Sequence, residues 1–160
     1  MNLTFRTIPE EDDVKRIEEI VSSTGFFHDF ETEVAVELIE ERLKEGEASG
    51  YYFVFAEADG KTVAYTCYGP DPVTKSTFLL FWIVTHRDYM GKGIGRRLLE
   101  ETHSRVKKMG GTMIVAETSG RDMYAPTRAF YSKSGYVPEA VIKDYYDKGD
   151  DKYIYVKRLN

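Results

Sequence analysis

The chain of 160 residues has a single cysteine, Cys67, so it can form no internal disulfide. That fits a reducing compartment, and the cytoplasm is the expected location. Cys67 sits in the alternating stretch Val63-Ala64-Tyr65-Thr66-Cys67-Tyr68, away from any histidine, so a small buried residue is its expected role. The three histidines, His28, His86 and His103, are scattered and form no zinc pattern, so no metal is expected. No apolar run approaches the length that crosses a bilayer. Met1 to Arg6 lacks the apolar region and cleavage site of a signal peptide, so no membrane partner is expected. The net charge of −5 weighs against a nucleic-acid partner. It fits a solvated acidic surface or a cationic substrate. No repeat, low-complexity segment or linker divides the sequence, so residues 1–160 are expected to form one domain.

Hydrophobic residues make up 42% of the chain and charged residues 31%, an ordinary globular balance for a chain long enough to bury a core. The informative stretch is Met90-Gly91-Lys92-Gly93-Ile94-Gly95-Arg96-Arg97-Leu98-Leu99. An apolar run from Phe78 to Val84 precedes it and reads as a strand. Ile94, Leu98, Val106 and Met109 follow at helical spacing. A strand, a glycine loop and a helix start together make an anion site, because glycines let several N–H groups converge. The helix N-terminus adds partial positive charge, and Lys92, Arg96 and Arg97 add whole charges. A dinucleotide fingerprint fails in both frames, since Arg96 or Leu98 falls at its third glycine. A Walker loop fails because Arg96 and Arg97 follow Gly95 where Lys and Ser or Thr are required. A plain tight turn with a basic helix start is the alternative.

The order of elements reads β-α-α-β-β-β-α-β-α-β-β, a mixed α/β pattern. Strands are expected at Leu3–Ile8, Tyr51–Glu57, Lys61–Tyr68, Thr77–Val84, Thr112–Thr118, Tyr136–Tyr145 and Tyr153–Lys157. The first helix should bury Val14, Ile17, Ile20 and Val21, and the second, near Thr32–Lys44, should bury Val34, Leu38 and Ile39. Asp59-Gly60 signals a hairpin, and Gly149-Asp150-Asp151 another turn.

Met90 to Gly95 resembles the acyl-CoA pyrophosphate loop of the GNAT acetyltransferases, Gln/Arg-x-x-Gly-x-Gly/Ala, with Met90 where Gln or Arg is usual. Tyr124-Ala125-Pro126-Thr127-Arg128-Ala129-Phe130-Tyr131-Ser132-Lys133-Ser134-Gly135-Tyr136 resembles the family's later helix with its Tyr-x-x-x-Gly-Phe/Tyr ending. Tyr124 stands where that block usually has Asn. The two blocks come in the family's order. The resemblance implies a mostly antiparallel seven-stranded sheet flanked by about four helices, with a splayed central strand pair. It implies acetyl-CoA as cosubstrate, held by Met90, Gly91, Lys92, Gly93, Ile94, Gly95, Arg96 and Thr127. Its pantetheine arm would lie in a wedge lined by Ile83 and Val84 on one side and Glu117 to Ser119 on the other.

Transfer of an acyl group to an amine needs a proton acceptor for the amine, a donor for the oxyanion and an outlet for the thiolate. Tyr131 aligns with the family tyrosine near the CoA sulfur. A free phenol, with a pKa of about 10, is protonated at neutral pH and matches a thiolate of similar basicity. The alternative is an aromatic packing role beside Phe130. Glu117 ends an otherwise apolar strand and is the candidate base, with an ion pair to Arg121 or Arg128 as its alternative. Phe27, His28, Tyr65 and Tyr145 are candidate acceptor contacts. The expected activity is acetyl transfer from acetyl-CoA to a primary amine of a small molecule, peptide or protein, by direct attack in a ternary complex. The chain would act as a monomer or homodimer. A non-catalytic acyl-CoA sensor or an interaction module on the same fold is the alternative.

Overall fold

In the computed structural model, which describes Met1 to Asn160, seven strands form one sheet in the order β1-β2-β3-β4-β5-β7-β6. The strands are β1 (Leu3–Arg6), β2 (Tyr52–Ala58), β3 (Lys61–Pro70), β4 (Thr77–Thr85), β5 (Met113–Ser119), β6 (Val137–Asp147) and β7 (Asp150–Arg158). The helices are α1 (Asp13–Ser23), α2 (Asp29–Glu45), α3 (Ile94–Lys108) and α4 (Ala125–Lys133). This is the element order the sequence pattern predicts. Of the ladders β1–β2, β2–β3, β4–β5, β5–β7 and β6–β7, the β4–β5 ladder is parallel and the other four are antiparallel.

The chain falls into two compact units, Met1–Gly69 with Trp82–Ser104, and Pro70–Phe81 with Arg105–Asn160. The first has a core of Ile17, Ile20 and Val21 from α1, Ala35 and Ile39 from α2, and Phe53, Phe55, Tyr65, Cys67 and Val84 from the strands. Helical spacing puts the α1 residues on one stripe. Cys67 is buried there, as expected. The α2 stripe differs from the expectation: Ala35 and Ile39 are buried, while Val34 is exposed. The helix also begins earlier. The His28 carbonyl accepts the Glu31 N–H at 3.0 Å while the Glu31 carboxylate accepts the His28 N–H at 3.0 Å, and the helix starts at Asp29.

Asp59 and Gly60 have φ of 50° and 84°, the left-handed pair that a two-residue turn between β2 and β3 requires. A second anchor lies at the start of α1. The fully buried Asp13 accepts two hydrogen bonds from Arg6 at 2.9 Å, one from the Glu10 N–H at 2.7 Å and one from Arg16 at 3.0 Å.

In the second unit, β5 pairs with β4 and β7. The parallel β4–β5 register runs from Thr77–Met113 to Leu80–Ala116. Both strands continue beyond it, β4 to Thr85 and β5 to Ser119. The last hairpin turns at Lys148-Gly149, because Asp147 pairs with Asp150. Asp150 and Asp151 therefore belong to β7 and not to the turn. This hairpin is irregular: Ile142 pairs with Lys152, and the next pair is Asp147 with Asp150. Residues 143–146 bulge out opposite Asp151 alone. Asp144 turns the bulge with φ of 56°, its N–H donating to Asp151 and its carboxylate accepting the Gly149 N–H.

Candidate active site

The glycine loop lies in the first unit. The strand-to-loop corner is set by His86, whose N–H donates to the Val63 carbonyl and whose Nδ1 accepts the Asp88 N–H. Arg87 is tied down by its own N–H, which donates to Ser23 Oγ. Gly91 and Gly93 then take φ of 75° and 78°. A Cβ at either would meet no atom within 4 Å, so the positive φ and not crowding calls for glycine. Met90, Gly91, Lys92, Gly93 and Arg96 are exposed, and Gly95 is half-buried. Ile94, the first residue of α3, is buried and anchors the helix start. Lys92 stands over the Tyr89 ring at 5.6 Å. The open loop and its two cations fit a phosphate ligand.

Other sequence-nominated residues of this unit have different surroundings. Val84 is a core residue, so only its main chain is available to a ligand, while Ile83 is half-buried. Phe27 packs edge-on against Trp82 at 5.1 Å and covers the core. His28, proposed as an acceptor contact, is exposed at the N-terminus of α2 and stacks on Phe30. Tyr65 is 1% exposed and lies among Phe53 and Phe55, so it is a core side chain and not a wall of an open cleft. Its hydroxyl has no hydrogen-bond partner. This unit also carries a groove of about 470 Å³ between α1 and α2, lined largely by Glu18, Asp29, Glu33, Glu37 and Glu40. It offers acidity but no nucleophile or paired acid and base.

The second unit holds Glu117, Thr127, Tyr131 and Tyr145. Glu117 pairs with neither arginine anticipated for it. Its Oε2 lies 2.6 Å from the Lys152 ammonium. The β5–β7 register explains the pair: Ser119 opposes Lys152, so Glu117 and Lys152 are diagonal neighbours on one face. Arg121 instead pairs with Asp150 at 3.3 Å. Arg128 donates to the Ser119 and Arg121 carbonyls. Lys152 is 8% exposed, whereas the Glu117 side chain is 46% exposed. The Lys152 ammonium also sits 4.0 Å from the centre of the Tyr145 ring. Burial pushes this ammonium's pKa down, but bonds to Glu117 and Tyr145 outweigh it and hold it above the ordinary lysine range. Tyr146 meets Tyr145 edge-on at 5.1 Å. A cavity of about 260 Å³ opens beside this group, lined by Leu79, Leu80, Phe81, Val115, Glu117 and Tyr146.

Tyr131 lies elsewhere in the unit. It is 5% exposed and packs on Tyr136 at 5.2 Å and Tyr155 at 5.7 Å. Tyr155 pairs with Ala116, and strand alternation puts it on the face opposite Glu117. Tyr131 and Glu117 therefore belong to opposite faces of the β5–β7 ladder. Burial raises the Tyr131 phenol well above its ordinary range. Burial thus favours its protonated form. Thr127 is half-buried in the first turn of α4.

The Acetyltransferase (GNAT) family profile matches residues 14–136, including both the glycine loop and α4. The chain belongs to the GNAT family. A GNAT-family structure from Desulfovibrio desulfuricans shares 43% identity and a TM-score of 0.97, covering 99% of this chain and 100% of the other. The ribosomal-protein-S18-alanine N-acetyltransferase of Escherichia coli has a TM-score of 0.78 at 21% identity, covering 99% of this chain and 95% of its own. The yncA structure from Salmonella typhimurium, solved with acetyl-CoA, has a TM-score of 0.77 at 19% identity, covering 100% and 95%. The last two likenesses establish the GNAT fold alone. Among curated proteins no sequence match is found.

Lys152 is the site residue that sequence reasoning missed in this GNAT chain. Its one signal was a lysine on a strand whose neighbours Tyr153, Ile154 and Tyr155 are apolar or aromatic.

Proposed function

We propose that this GNAT chain, acting as one domain, transfers an acetyl group from acetyl-CoA to a primary amine by direct attack. The observation that carries the reading is the open glycine loop leading into α3, inside the span that matches the family. Residues 90–95 offer backbone N–H groups to the pyrophosphate, with Lys92 and Arg96 supplying charge. Thr127 and the main chain of Ile83 and Val84 are further cofactor contacts under this reading.

The roles of Glu117 and Tyr131 follow from their faces. A donor entering past the Leu80–Ala116 end of the β4–β5 ladder meets the amine on the Glu117 face and the phenol on the Tyr131 face. An ammonium has no lone pair, so Glu117 takes its proton, directly or through one water. The amine then attacks the thioester carbon to give a tetrahedral oxyanion on a protonated nitrogen, and as the C–S bond breaks that nitrogen's extra proton passes through solvent to the departing sulfur, leaving the amide and CoA thiol. Because burial keeps Tyr131 protonated, its hydroxyl donates a hydrogen bond to the departing sulfur. The test is purified protein with acetyl-CoA and a panel of amines, followed by thiol release and by mass of the acetylated product. Acetyl-CoA binding in calorimetry together with amine-dependent thiol release supports the reading. Neither binding nor release refutes it.

A further inference from the structure

We propose that the cavity beside Glu117 takes a small primary amine with one positive charge and an apolar or aromatic body, and that Lys152 excludes amines bearing a second cationic centre. The inference rests on the acetyl-transfer reading and names the acceptor class for that same site.

Four of the six lining residues are apolar, and strand alternation puts three of them, Leu79, Phe81 and Val115, on the Glu117 face. Tyr146 adds an aromatic wall, and Glu117 is the single carboxylate. A volume of about 260 Å³ falls below that of sites for drug-sized ligands, roughly 300–1,000 Å³. Charge decides the rest. Lys152 holds Glu117 Oε2 at 2.6 Å, so the pair is neutral before any ligand arrives. One substrate ammonium can share the half-exposed carboxylate. A second would find no acid among the lining residues and would stand near the Lys152 ammonium. The Tyr145 ring offers little relief, because Lys152 already occupies it at 4.0 Å. Apolar walls favour an alkyl or aryl body by excluding water from it.

The bulge at residues 143–146 is what makes this arrangement possible. A regular β6–β7 hairpin would keep Tyr145 and Tyr146 in the ladder, whereas the bulge frees one to cover Lys152 and the other to close the cavity.

The experiment compares kcat/KM at saturating acetyl-CoA for 2-phenylethylamine, 1,4-diaminobutane and spermidine. The wild-type protein is expected to favour 2-phenylethylamine at least about tenfold. Lys152→Met should shrink that ratio about tenfold, through a lower KM for the diamine, and Lys152→Arg should keep it. Phe81→Glu adds a carboxylate at an exposed lining position and should also raise diamine use, which keeps the test alive if Lys152→Met does not fold. Equal or better use of spermidine by the wild type overturns the inference, as does a ratio unmoved in both Lys152→Met and Phe81→Glu. Acetyl-CoA binding without turnover of 2-phenylethylamine overturns it too. By contrast, loss of both acetyl-CoA binding and all thiol release strikes the acetyl-transfer reading itself.

Discussion

Glu117 and Lys152 form a diagonal cross-strand ion pair at 2.6 Å, one partner half-exposed and the other buried. The geometry holds the Glu117 carboxylate at the edge of a cavity, where a substrate amine could reach it. Glu117→Gln keeps the size and the hydrogen bond to Lys152 but removes the basicity. It should lower kcat with acetyl-CoA affinity intact and abolish the acidic limb of the pH–rate profile. A Gln variant with wild-type turnover and the same limb would leave Glu117 as a structural ion pair.

The glycine loop allows strain and charge to be separated. Gly93 has φ of 78° with open space around it. Gly93→Ala adds only backbone strain, about 1–2 kcal/mol, and should weaken acetyl-CoA binding modestly. Gly93→Asp adds a negative charge where N–H groups would meet phosphate and should abolish it. Met90→Ala, which keeps the backbone, should matter little. Equal binding by the Ala and Asp variants in calorimetry would place the phosphate elsewhere.

The element order was legible because it rests on local signals: the α1 stripe, the left-handed Asp59-Gly60 turn and the glycines around α3. The loop was legible because all its residues are contiguous. Glu117 stood out as an acid in an apolar strand, but its partner did not, because β5–β7 register joins residues far apart in sequence. The bulge that releases Tyr145 and Tyr146 has no glycine or proline to announce it. Tyr65 misled because its burial depends on the helices packed over β3, which the strand's own alternation does not reveal.

Asp13 ties stability to pH. Burial pushes its carboxyl pKa up, but the bonds from Arg6, the Glu10 N–H and Arg16 prevail and hold it below the usual carboxylate range. An unfolded aspartate has a pKa of about 3.9. The stability this group supplies is therefore complete above about pH 4 and is lost as pH falls through the lower folded value. Asp13→Asn should cost about 3 kcal/mol at neutral pH, because it removes the buried one of Arg6's two close carboxylates and leaves the other, Glu57, at 3.3 Å. It should also flatten this part of the acid limb. Urea midpoints between about pH 2 and 6 test both, and parallel pH curves for the two proteins would reject the assignment.

The orphaned Tyr65 hydroxyl makes a prediction of opposite sign. A buried polar atom without a partner costs on the order of 1 kcal/mol or more. Tyr65→Phe should therefore raise the urea midpoint while leaving the ring packing with Phe53 and Phe55 intact. A lowered midpoint would mean that a buried water satisfies the hydroxyl.

Tyr131→Phe separates packing from chemistry. The ring contacts with Tyr136 and Tyr155 need no hydroxyl, so folding should be unaffected. The hydroxyl is the only group removed, and burial keeps it protonated across the working range. Turnover should fall roughly 10²–10⁴-fold if donation to the departing sulfur limits the rate. The loss should be nearly pH-independent, because a phenol held well above its ordinary range does not titrate near neutrality. Acetyl-CoA affinity should change little. Rapid-quench measurements decide the matter by isolating the transfer step from product release. An unchanged transfer rate in the Phe variant would reduce Tyr131 to an aromatic packing residue.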